Sequence, residues 1–190
     1  MESWERENEI LEKSKDEIID YVIKQYGDQI KRIIFTYVKN YEQTDDIFQE
    51  FLIKVYTNVR LFKGNSSFKT WLCRIAINKS KDYLRTSIQR FFPFNDQVKS
   101  RSIGKSAEQR AIENEEDMEV VKAILALPIK YREIFVLRFY QSFSMKQISI
   151  SLQLNESTVK TRMMRGKKKL QQKLGGEYLE RFESEPEKSI

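Results

Sequence analysis

The chain contains no histidine and one cysteine, Cys73. The first absence removes the commonest acid–base group and metal ligand, and the second excludes a disulfide framework and a thiolate cluster for zinc. No apolar run approaches the ~18 residues needed to span a bilayer, and the glutamate-rich N-terminal stretch is not a signal peptide. A cytoplasmic protein without membrane insertion is expected, with neither metal nor other cofactor. Cys73 lies between Leu72 and Arg74 in an apolar helical run, the setting of a buried structural thiol rather than a reactive one. What remains is an ordinary folded composition, 40% hydrophobic over 190 residues, enough for one or two domains. Lysine and arginine number 34 against 28 acids, and the net charge of +6 favours a polyanionic partner.

The placement of those charges says more than their sum. Residues Phe143 to Leu174 read as a helix-turn-helix: Ser144 and Gln147 form a capping box, Phe143 and Ile148 a hydrophobic staple, and a helix should start at Met145. Ile148 and Leu152 give it an inward face before Gln153-Leu154-Asn155 interrupts the pattern. Asn155 suits the cap of a second helix, from Glu156 to about Leu174. Val159, Met163, Leu170 and Leu174 share one stripe of it, while Lys160, Arg162, Arg165, Lys167, Lys168, Lys169 and Lys173 add only positive charge. A solvated surface helix ordinarily mixes signs, so this one reads as a recognition helix, with Lys160, Thr161, Met164 and Arg165 near base edges and the later lysines on phosphates. Gln153 occupies a turn position often held by glycine, where a left-handed backbone would cost roughly 1 kcal/mol.

The N-terminal half is helical scaffold with one two-faced element. Residues up to Lys13 alternate charges around Trp4 and Ile10 and have no assigned role. Ser14 and Glu17 form a capping box for a helix carrying Ile18, Ile19, Val22 and Ile23, with Gly27 as a stop or kink, and Ile30, Ile33, Ile34, Tyr37 and Val38 continue the spacing to Asn40. Thr44 can cap the next helix, whose Ile47, Phe51, Val55 and Val59 recur every four residues as a core stripe. Its other face holds Asp46, Gln49, Glu50 and Ile53. Acids there suit the helix dipole in any protein, and they suit equally a docking face for a basic partner centred on Ile53.

Residues Leu61 to Ser67 then break the periodicity, and Ser67 can cap a helix from Phe68 to about Arg85. Trp71, Leu72, Ile75 and Ala76 form its buried side, and Arg74, Asn78, Lys81 and Arg85 a polar basic side. The loop before it is either a plain surface turn or a receptor for an unstacked base, since separated strands are bound by stacking, pocket hydrogen bonds and cationic tracks. From 86 to 112 the composition becomes that of an extended basic linker, with Pro93, several serines, Arg90, Lys99, Arg101 and Lys105, and Phe91, Phe92 and Phe94. A second helical unit opens with Glu113, Glu115, Glu116, Asp117 and Glu119. Pro128 starts its next helix, whose Ile134, Phe135, Leu137 and Phe139 pack on the helix-turn-helix. Gly175-Gly176 ends the recognition helix, and an acidic tail follows from 177 to 190. The expected fold is all-α: helical domains at 14–85 and 113–174, an extended linker at 86–112 and a tail at 175–190.

Several of these motifs recur in order: Asp45-Asp46-Ile47-Phe48-Gln49-Glu50-Phe51, Phe62-Lys63-Gly64, Ser67-Phe68-Lys69-Thr70-Trp71-Leu72, Ile75-Ala76-Ile77-Asn78, Asp82-Tyr83-Leu84-Arg85, Leu127-Pro128 and Glu156 to Leu170. Over about residues 18 to 174 the chain resembles the extracytoplasmic-function group of bacterial sigma factors. The resemblance implies that Asp46, Gln49, Glu50 and Ile53 bind the clamp helices of the largest subunit of core RNA polymerase. It implies that Phe62, Lys63, Gly64, Asn65, Ser66 and Ser67, with Asn78, hold a flipped base of the minus-ten element, and that Arg74, Lys81 and Arg85 hold the adjacent duplex. Lys160, Thr161, Met164 and Arg165 would read the minus-thirty-five element, with Arg162 and Lys167 on phosphates. A separate anti-sigma protein is a further expected partner.

The expected function is therefore a non-enzymatic initiation subunit that brings polymerase to promoters and assists opening. A freestanding helix-turn-helix regulator would need neither docking face nor base-capture loop. A DNA-processing enzyme lacks an evident nucleophile or metal constellation here, and a purely structural helical adaptor leaves the clustered bases unexplained. Fully extended, the linker could reach roughly 90 Å, more than the ~70 Å of two duplex turns, so both domains could touch separate elements at once.

Overall fold

The computed structural model describes residues 9–91 and 115–174, and every regular element among them is helical. The proposed tail at 175–190, the first eight residues, and all of the linker beyond Phe91 lie outside the described residues.

Helix α1 (Lys15–Val38) opens on the expected capping box: Ser14 Oγ accepts the Glu17 N–H at 3.2 Å, and Glu17 Oε2 accepts the Ser14 N–H at 3.0 Å. The same bonds hold the Glu17 carboxyl below its usual pKa. Gly27 does not stop the chain; it is buried within α1 beside Phe48, and the two predicted segments are one helix. Helix α2 (Tyr41–Asn58) starts three residues before the cap expected at Thr44, because Asn40 caps it, its Oδ1 accepting the Gln43 N–H at 3.0 Å. Tyr41 stacks on Phe35 with ring centroids 4.6 Å apart, an apolar grip on the first turn, and Thr44 is buried inside the helix. A short helical turn at residues 9–12 docks beside α2: Ile10 is buried, and the Arg60 guanidinium donates to the carbonyls of Leu11 and Lys13.

Helix α3 (Phe68–Phe91) is capped as expected by Ser67, whose Oγ accepts the Thr70 N–H at 3.2 Å. It continues past Arg85 through Thr86–Phe91, a stretch expected to be extended. Nothing there breaks a helix until Pro93, which disfavours helical backbone at the residue before it. Helices α1, α2 and α3 pack mutually around Ile18, Ile34, Ile47, Phe51, Phe68 and Leu72, with Cys73 buried among them and its thiol pushed up to about 12 by desolvation.

The C-terminal half comprises α4 (Glu115–Leu125), α5 (Ile129–Phe135), α6 (Met145–Leu152) and α7 (Glu156–Leu174). Helix α5 starts after Pro128 and widens at its end into a π-helical turn (Val136–Tyr140), where the Gln141 N–H donates to the Val136 carbonyl at 3.1 Å. The Ser144–Gln147 capping box opens α6, and both staple residues, Phe143 and Ile148, are buried. Gln153 adopts the left-handed conformation, φ 55° and ψ 47°, that the turn demands of a residue other than glycine. Val159, Met163 and Leu170 of α7 are buried on one side.

Helices α5 and α7 approach at Gly166. A Cβ there would collide with the ring of Phe135, which is fully buried and stacked on Phe139. Alanine at an open helical position gains about 1 kcal/mol over glycine. At Gly166 the overpacking, about 1–3 kcal/mol, should outweigh that gain. Chemical denaturation of Gly166→Ala should show a net loss of about 1 kcal/mol; a gain would mean that α5 and α7 separate freely.

Candidate nucleic-acid interface

Helix α7 carries its apolar stripe inward, so its bases are forced out. Lys160, Thr161, Met164 and Arg165 are all exposed, Met164 at 65% despite its hydrophobicity. They cluster on the N-terminal half of the helix, where the unsatisfied N–H groups add positive potential. A surface hollow of about 240 Å³ is lined there by Ser157, Thr158, Thr161, Arg162 and Arg165. The Thr161 hydroxyl donates to the Ser157 carbonyl at 2.8 Å, which leaves its methyl group and lone pairs for a ligand. Arg162 turns the other way: it is partly buried, with Nη1 3.2 Å from Glu133 Oε1. Lys167 is also partly covered.

In the loop before α3, Phe62 packs between Phe68 and Trp71, with centroids 5.5 and 5.4 Å away. This aromatic cluster anchors the base of the loop. Its tip, Lys63, Gly64 and Asn65, is exposed, and Gly64 takes φ 70°, which favours glycine. Ser66 is partly buried, while Ser67 is occupied by capping α3. Asn78 is exposed on α3, ten residues beyond Phe68. Arg85 is exposed and paired with Asp82 at 3.1 Å, Arg74 is partly buried, and the Lys81 ammonium sits 3.0 Å from Glu133 Oε2.

The outer face of α2 has the opposite charge. Asp46, Gln49 and Glu50 are exposed around Ile53, which is 65% exposed, and Glu50 also reaches Lys79 at 3.1 Å. Tyr56, absent from the sequence reading, extends this apolar centre at 42% exposure, with Lys15 Nζ 5.1 Å from its ring centroid. Its spacing of three from Ile53 was the available signal.

The two halves meet, which the sequence reading did not anticipate. Helix α6 packs on α3, and α5 on α1. At the seam Glu133 of α5, 3% exposed, accepts a hydrogen bond from the Tyr37 hydroxyl at 2.8 Å as well as the ion pairs from Lys81 and Arg162. Burial, and then the Glu133 charge, push the Tyr37 phenol well above its ordinary pKa. Lys69 Nζ donates to the Gln141 carbonyl at 3.2 Å and lies over the Phe143 ring, and burial lowers its pKa. Among the described residues no group of acidic or thiol side chains is arranged to hold a metal ion, and no helix is long and apolar enough to cross a membrane.

Residues 22–89 match the family model described as Sigma-70 region 2, and residues 117–170 match that described as Sigma-70, region 4. The chain is 32% identical over 162 residues to the ECF RNA polymerase sigma factor SigX of Bacillus subtilis, covering 82% of each chain. It is 29% identical to the ECF RNA polymerase sigma factor SigW of the same organism, covering 80% of this chain and 87% of that one. Among solved structures, the sigma factor RpoE from Bartonella quintana, in complex with the anti-sigma factor NepR, aligns at a TM-score of 0.62 and 19% identity, over 82% of this chain and 95% of the other. CnrH, in complex with the cytosolic domain of CnrY, aligns at 0.61 and 18% identity, over 87% and 92%. At these identities the two structures speak for the fold.

The exposed quartet on α7 should act on base edges. Replacing Lys160 or Arg165 with alanine should relax sequence preference by about 1–3 kcal/mol at one contacted base pair, read by competition among duplexes varied position by position. A uniform loss across all sequences would instead make these residues phosphate ligands.

Proposed function

The chain belongs to the extracytoplasmic-function group of the sigma-70 family, whose members direct RNA polymerase to promoters, and from that premise we propose how its surfaces divide the work. The carrying observation is that one chain exposes two surfaces of opposite charge: the basic quartet on α7, and the acids around Ile53 on α2. A freestanding DNA regulator needs only the first. Here Asp46, Gln49, Glu50 and Ile53 dock on the basic clamp helices of core polymerase, Ile53 and Tyr56 supplying the apolar centre and the acids an electrostatic rim.

The N-terminal domain, 14–85, then recognises the minus-ten element. The loop Phe62 to Ser67 and Asn78 receive a flipped base, and Arg74, Lys81 and Arg85 hold the neighbouring backbone. A base leaving the stack loses a few kcal/mol of stacking and pairing, which a preformed loop on a rigid aromatic base can recover. The C-terminal domain, 113–174, reads the minus-thirty-five element through Lys160, Thr161, Met164 and Arg165, with Arg162 and Lys167 on phosphates. Polymerase supplies the catalysis. A separate anti-sigma protein is a further partner, supported by the fold shared with the NepR-bound sigma factor.

Because α3 extends to Phe91 and α4 begins at Glu115, the intervening chain can span at most ~80 Å, less than the ~90 Å expected from sequence but still beyond two duplex turns. Tethered domains can therefore occupy two elements at once and gain avidity from it.

Reversing the charges of Asp46 and Glu50 to lysine should weaken assembly with core polymerase about tenfold or more at moderate salt while the thermal transition of the free chain stays put. Unchanged affinity would remove the docking face from α2. Asn78→Ala should slow promoter opening more than it weakens the closed complex, measured by strand-separation fluorescence against gel-shift affinity. Equal losses in both would contradict base capture.

A further inference from the structure

We propose that Leu61 is a further DNA-contacting residue, an apolar wall at the entrance of the loop before α3 on which a base displaced from the minus-ten stack comes to rest. The inference rests on the base-capture reading of Phe62 to Ser67 and adds to it a residue outside that set. Among the described residues Leu61 is the most exposed large apolar side chain, at 70%, ahead of Ile53 and Met164. Its backbone is nevertheless held on both sides. Val59 is buried, the Arg60 guanidinium donates to the carbonyls of Leu11 and Lys13, the latter at 2.6 Å, and the Phe62 N–H donates to the Val59 carbonyl at 3.2 Å. The Phe62 ring is in turn fixed against Phe68 and Trp71. Leu61 therefore stands in water on a fixed backbone, and little ordering is left to oppose a ligand that covers it.

Two features direct this side chain to DNA and not to polymerase. Val59–Leu61 is a 3₁₀ turn, tighter than the α-helix before it, which carries Leu61 roughly 140° round the axis from Ile53 and off the docking face. Along the chain Leu61 adjoins the loop instead, where Lys63 and Gly64 are exposed and no atom beyond the chain neighbours lies within 4 Å of the position a Gly64 Cβ would take. The loop thus offers room for a base and, in Lys63, a cation for its phosphate, but its own aromatic ring is committed to the packing on Phe68 and Trp71. Leu61 supplies the missing apolar surface. Leucine is among the side chains that proteins set against unstacked base steps, and its methyl groups contact the face of any base without requiring a hydrogen bond. Its contribution therefore depends on the presence of a base and not on which base it is.

The test uses the full chain assembled with core polymerase, on a promoter first selected by transcription from a fragment library randomised across both elements. Strand separation, read from a fluorescent base analogue, should slow about fivefold in Leu61→Ala, while affinity for core polymerase and formation of the closed complex stay as in wild type. An abasic sugar is then placed at each non-template position of the minus-ten element in turn. At one position wild type and Leu61→Ala should open at the same rate, because the side chain has lost its partner. Leu61→Met should keep most of the wild-type rate, and Leu61→Asn, of leucine's size but polar, should not. No gap on the intact promoter, a gap that persists on every abasic template, or a loss of core polymerase affinity in its place overturns the assignment of Leu61. Wild type slowed at one abasic position while Leu61→Ala opens as fast as wild type on the intact promoter overturns that assignment alone. Wild type indifferent to every abasic position overturns the base-capture reading and the role of Leu61 with it.

Discussion

A carboxylate taken out of water must be compensated, and the side chains that compensate Glu133 tie together most of the molecule. Removing one partner from a buried pair leaves an uncompensated charge that costs about 3–5 kcal/mol, so Glu133 constrains whatever surrounds it. Its partners come from α1, α3 and α7, through Tyr37, Lys81 and Arg162. The adjacent Arg132 turns to the Leu125 carbonyl at 2.6 Å, and burial lowers its pKa, so the second charge of the pair is spent on holding α4 to α5. A single dipeptide on α5 thereby fixes the packing of the C-terminal half and its seam with the N-terminal half.

The remaining charges are distributed by the direction in which each helix buries its stripe. In α2 the burial of Ile47, Phe51 and Val55 forces Asp46, Gln49, Glu50 and Ile53 outward; in α7 the burial of Val159, Met163 and Leu170 forces out a face that carries no acid from Lys160 onward. The surfaces need no separate determinants: binary patterning that folds each helix also sets the sign of what it shows to a partner. Exposed Ile53 and Met164 are exceptions to the polar surface, and both stand at the centre of a charged face.

Local physics was legible in the sequence and long-range pairing was not. The capping boxes at Ser14 and Ser144, the cap at Ser67 and the start after Pro128 are written within four residues, and each appears where the sequence put it. The departures are also local: Asn40 rather than Thr44 caps α2, where the aromatic contact between Tyr41 and Phe35 is a tertiary one, and α3 runs on past Arg85 to Phe91 although the composition changes there. Glu133 carried no signal at all. Its partners lie 96, 52 and 29 positions away, beyond any periodicity, and a glutamate beside an arginine on a helix ordinarily reads as solvent-facing.

Several contacts across the seam are polar, those of Tyr37 and Lys81 with Glu133 and of Lys69 with the Gln141 carbonyl. Neutral hydrogen bonds exchanged with water contribute only about 0.5–1.5 kcal/mol each, so among the polar contacts of the seam the buried Lys81–Glu133 pair carries the most. The buried apolar residues of both halves form one continuous cluster, from Ile18, Phe51 and Phe68 to Phe135, Phe143 and Leu170, so apolar packing joins the halves as well as polar contact. The segment between Phe91 and Glu115 keeps the two halves tethered in whatever arrangement they take, so their effective concentration toward one another stays high.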